Sequence, residues 1–262
     1  VLVRERAGAG QRAVELEPLD RADELGGDDL TDWILTLQSQ TPESRAHAIE
    51  RWQNTSSVPW LIAALSKADS QHPSAAALRR AGAAIPADSA AFPSAVFQVV
   101  RLNVAAGRIS EARALLDGLL EKRSSHLNAS ALNLLRHQRM LVANSLDEFL
   151  TYAQQVPAGI SWNDDGREIP ADPSEDSEGM KSLQGKPLFD ADAAKILNEK
   201  MPISFLKQAA ISKSLPDHLR RDVAQASWLR AVILRDQATA AELAPTLKAL
   251  VPELSSLLDN FL

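Results

Sequence analysis

The stretch Ala106-Gly107-Arg108-Ile109-Ser110-Glu111-Ala112, with Leu115, Leu116, Leu119 and Leu120 behind it, decides the fold. Upstream, residues 93–106 place Val96, Val99, Val100 and Val104 on one face at helical spacing. Gly107-Arg108 turns the chain, Ser110 caps, and Glu111-Ala112 opens a second helix whose leucines share a side. Two amphipathic helices on so short a link pack antiparallel, each covering the other's apolar stripe. The plan returns at 129–143, with Asn144-Ser145 as the turn and Leu146, Asp147, Glu148, Phe149 and Leu150 as the second helix. Glu111 to Glu148 is 37 residues, a period at which helix pairs stack and each buries its face against the next.

Toward the N-terminus, Leu30, Trp33, Ile34 and Leu37 fall at i, i+3, i+4 and i+7, one face of a helix begun by Asp28 or Asp29. Thr41-Pro42-Glu43 supplies a hydroxyl cap, a proline at the first helical position and an acid near the positive end. That helix turns Ala46, Ile49 and Trp52 inward. Pro59 starts another with Trp60, Leu61, Ala64 and Leu65, and Pro73 a fourth with Leu78, Ala81 and Ile85. Residues 1–27, with four glycines among alternating charges, read as a flexible arm or the end of a preceding helix.

Toward the C-terminus, residues 157–187 hold four prolines and four glycines and no helical period. They read as an acidic loop, partly disordered, with the composition of disorder strongest over 171–182. Helices resume over 188–262: at Asp190, at Pro202, at Pro216 (Leu219, Val223, Ala226), at a Thr239–Glu242 capping box and at Pro252. Pro245 is expected to kink the Thr239 helix or end it early.

Composition agrees. Aromatics are only 5% of the chain, alanine and leucine lead the apolar set, and no β-branched run alternates as a strand would. The net charge of −6 lies in two segments: residues 1–27 have four bases against six acids, and 157–187 three against seven. The balanced helical body offers no basic stripe for phosphates, so no nucleic-acid partner is expected. No apolar run approaches the ~20 residues that cross a bilayer, so no transmembrane segment is expected. The absence of cysteine excludes disulfides and thiolate chemistry and tilts the expectation slightly toward a periplasmic or cell-envelope location. A start at Val1 rather than Met reads as an excised piece or a processed product.

The Ala106–Ala112 turn and the leucines after it resemble the turn and second helix of a tetratricopeptide repeat. The resemblance is good over about 93–126, degenerate over 129–156 and fainter over 59–88. In the second copy Asn144 stands for the glycine and Phe149 for the small alanine, so packing there must differ. The chain also resembles uncharacterised multi-helical bacterial proteins. The resemblance implies an all-α fold: antiparallel helix pairs stacked over 28–156 as a tetratricopeptide-like right-handed solenoid. The acidic loop and a C-terminal helical bundle packing on the repeats complete it. It further implies a concave side built from the first helix of each pair, where Phe97, Arg101, Leu134 and Gln138 would meet a protein partner or another part of a longer chain. The expected role is therefore a non-enzymatic scaffold.

Motifs for chemistry are few. His47, His72, His126, His137 and His218 stand at no metal-ligand spacing and read as surface or interhelix residues. Phosphate loops, dinucleotide fingerprints and nucleophile elbows are missing, so no cofactor is expected. Asp190-Ala191-Asp192 lacks the rest of a calcium loop and reads as helix capping. The rival function rests on Ile160 to Ile169, where Trp162 could stack on a sugar. Asp164, Asp165 and Glu168 would then serve a hydrolase as acid and base, with Arg167 beside them. The plainer reading makes Asn163 to Gly166 a turn and Trp162 a core plug.

Overall fold

Thirteen α-helices and a few short strands make up the described residues of the computed structural model, which are 29–122, 127–158, 160–162, 168–170 and 185–261. The arm at 1–27, His126 and the stretch 171–182 lie outside them.

Four helix pairs come first. They are α1 (Asp29–Gln38) with α2 (Pro42–Thr55), α3 (Val58–Lys67) with α4 (Ala75–Ala83), α5 (Phe92–Ala105) with α6 (Ile109–Lys122), and α7 (Ala129–Leu141) with α8 (Leu146–Tyr152). Each helix touches the next, and the first helices of the pairs also touch in series, α1 to α3, α3 to α5 and α5 to α7. The apolar side chains divide into two successive clusters. One centres on Trp60, Leu61, Leu65, Leu78 and Leu102; the next on Val96, Val100, Leu116, Leu119 and Leu135. Each fully buried Leu there is worth about 1.5–3 kcal/mol over its exposed state. Gly82 of α4 permits the close approach of α3 and α5, because an added Cβ would lie 2.7 Å from Val99 Cγ2 and 2.9 Å from Leu65 Cδ1.

Cations of one first helix hold the end of the one before it. Lys67 Nζ donates to Leu37 O at 3.2 Å and to Ser39 O, which satisfies the C-terminus of α1. Arg101 Nη2 donates to Leu65 O at 2.7 Å and Ala68 O at 2.9 Å at the end of α3. Helix ends carry unpaired carbonyls and partial negative charge, so a cation there is doubly favourable. Lys67 and Arg101 are 34 residues apart.

Several local expectations need correction. Leu30 and Ile34 are 58% and 40% exposed, while Trp33 and Leu37 pack inward beside buried Thr36. The phase of α1 is set by Trp33 Nε1 on Pro59 O and by Asp29 and Asp32 binding Trp60, Arg51 and His47. Ala46 is exposed and Ala48 takes its place inside. The α6 helix begins at Ile109, so Ser110 lies in its first turn and does not cap. Gly107 does serve the turn, at φ +71. Asn144 does not repeat that conformation, since the non-glycine residues of positive φ among the described ones are Ser56 and Arg235. Its N–H goes instead to the Glu148 carboxylate at 3.0 Å, while Ser145, the N-cap of α8, accepts from Glu148 N at 3.2 Å.

The loop is not wholly strandless. Strand β1 (Gln154–Gln155) pairs antiparallel with β4 (Leu188–Phe189), and β2 (Ile160–Trp162) with β3 (Glu168–Pro170). The first pair closes the neck of the loop. Runs of two and three residues are too short to show the alternation by which strands are read.

Beyond the neck come α9 (Ala191–Lys195), which runs into a π-helical turn at Ile196–Lys200, α10 (Ile203–Ile211), α11 (Asp217–Ile233) and α12 (Gln237–Leu250). A 3-10 turn at Pro252–Leu254 leads into α13 (Ser255–Phe261). They share one core with Leu150 of α8, including Leu206, Leu219, Val223, Leu243, Leu247 and Leu258. Phe149, where the repeat pattern has a small residue, packs on this core. Thr239 is not the cap of α12; Asp236 is, accepting from Thr239 N at 3.0 Å. Helix α12 continues past Pro245 to Leu250. In α11, Ala226 is exposed, while Ala224 and Ser227 are buried with Val223.

Candidate functional site

Helix α7 touches α5, α6, α8 and β1, and its residues divide by face. Leu135 and Met140 enter the cores, and among the described residues Arg139 alone of the charged side chains is buried, at 4% exposure. Arg139 Nε donates to Asp117 Oδ1 of α6 at 2.7 Å and Nη1 to Glu148 Oε2 of α8 at 3.1 Å, and its guanidinium lies 4.8 Å over the Tyr152 ring. Arg113 Nη2 reaches the same Glu148 oxygen at 2.7 Å. The Arg139 bond, then the Asn144 amide and Arg113, hold the Glu148 carboxyl down at about 2. Burial alone would depress Arg139, but its bonds to Asp117 and Glu148 raise it above the ordinary guanidinium value. Burial, then Asp117, push the Tyr152 phenol up. These groups clamp α6, α7 and α8 together.

A second face of α7 grips the loop neck. Asn133 Nδ2 donates to Val156 O at 2.7 Å, and Gln155 Nε2 to Asn133 O at 3.3 Å and to Asp190 Oδ2 at 2.6 Å. His137 Nδ1 lies 3.2 Å from Asp190 Oδ1, and Nε2 lies 3.7 Å from Asp192 Oδ2. His137, Asp190 and Asp192 thus bring ligand-type atoms within 4.8 Å of one another. Asp190 Oδ1 already accepts from Asp192 N at 2.9 Å and Ala193 N at 3.2 Å as the N-cap of α9. The positive end of that helix opposes a cation, so the trio reads as the cap expected for Asp190, with an imidazole latched onto it. His137 and Asp190 are 53 residues apart, a proximity no spacing rule reveals.

The third face is exposed. Leu134 and Leu141 are 44% and 52% exposed, with half-buried Gln138 between them at i+4. Leu141 continues into an open cleft of about 440 Å³ bordered by Leu146, Phe149, Ile196 and Phe205, the last 46% exposed. A neighbouring cleft of about 540 Å³ shares Ser145, Leu146 and Phe205 and adds Asp147, Gln208 and Lys213. Neither cleft was read from the sequence, because each joins residues more than fifty positions apart.

Of the four residues expected on the concave side, Leu134 and Gln138 share this ridge, and Phe97 is half-buried on α5. Arg101 serves as the cap of α3; burial lowers its pKa, with Asp69 opposing. Of the loop residues, Trp162 and Glu168 are cross-strand partners in the β2–β3 pair, while Asp164, Asp165 and Arg167 lie outside the described residues. No helix among the described residues is long and apolar enough to cross a membrane. Comparison of the chain with family models, with curated proteins and with solved structures returns no match.

Proposed function

We propose that this chain is a non-enzymatic helical-repeat scaffold, a tetratricopeptide-like right-handed stack that holds a partner protein or another part of a longer chain along α5 and α7. The observation that carries the proposal is the exposed ridge Leu134–Gln138–Leu141 running into the Phe205 cleft. Two exposed leucines on one line of a helix, leading into an apolar-bordered cleft, favour an interaction site there. Support for the repeat comes from the serial contacts of first helices and from the 34-residue spacing of the two capping cations, which equals the tetratricopeptide period. An envelope location fits the lack of cysteine.

The test places a photo-crosslinking side chain at Leu134, at Leu141 and, as a control, at exposed Glu50 of α2, in the native host. The same protein adduct from Leu134 and Leu141, absent from Glu50, is the expected result. Equal labelling from all three positions contradicts the proposal. The rival, a hydrolase or carbohydrate-binding protein, draws on the placement of Trp162 opposite Glu168. Loss of glycan binding or turnover on substituting Trp162 and Asp165 would favour it.

A further inference from the structure

We draw no further inference here: the strongest candidate, the exposed apolar seam of Leu229 and Ile233 on the outward face of α11, carries nothing because nothing in the structure shows what covers it.

Discussion

The two halves of the molecule solve the same burial problem differently. From α1 to α7, helices are added one after another, the apolar residues fall into two successive clusters, and Lys67 and Arg101 fasten one first helix to the end of the last. From α8 to α13, helices gather around one core that draws on α8, α10, α11, α12 and α13 together. A serial arrangement makes stability a sum of neighbour terms, whereas a shared core makes it one cooperative unit. Helix α8 belongs to both, through Glu148 on the α6–α7 side and Leu150 on the other.

The largest effect expected to sharpen this contrast is Leu243→Ala, at the centre of the shared core with 1% exposure. It should cost about 2–5 kcal/mol, read as a lower urea midpoint, and should lower amide protection throughout α10 to α13. Next comes Arg139→Met, which leaves Asp117 and Glu148 without their cation at the joint between halves. Breaking a fully buried pair costs about 3–5 kcal/mol; because the two carboxylates are a third exposed, about 2–3 kcal/mol is expected. Thermal melts that split into two transitions would show that the joint couples the halves.

Acid sharpens the same point. Glu148 sits at about 2 in the fold against 4.5 as its ordinary value. Its contribution is therefore complete above about 4.5 and is lost as pH falls from there through about 2. Glu148→Gln should flatten the acid limb of stability in that window, measured as the urea midpoint against pH. The smallest effects are the caps. Arg101→Ala should cost about 1–2 kcal/mol and Lys67→Ala about 0.5–1 kcal/mol, with chemical denaturation as the check.

Helix spacing made much of this architecture readable in advance. Val96, Val99 and Val100 with Leu116 and Leu119 are buried as their periodicity requires. Periodicity misled where polar contacts choose the face: at α1, turned by Asp29 and Asp32, and at α11, where Ala226 faces solvent although it lies in step with Leu219 and Val223. The expected cap at Thr239 failed because Asp236, three residues earlier, is the stronger acceptor for the free amides. On the candidate site, Leu134 was named only through the resemblance to a repeat, and Leu141 with Phe205 and His137 with Asp190 are brought together only by tertiary packing. Arg139 did leave a trace: it sits at i+4 from Leu135 and i−3 from Val142, a lone charge on an apolar face.

Hydrogen exchange on Trp60→Ala tests the difference between the halves most directly. Trp60 is fully buried, bonds Asp29 through Nε1 and lies under Arg51, so its loss costs about 3–5 kcal/mol. Protection should fall across α1 to α4 and stay at wild-type levels across α10 to α13. An equal loss in both segments would mean that one cooperative core, and not a serial stack, holds the N-terminal half.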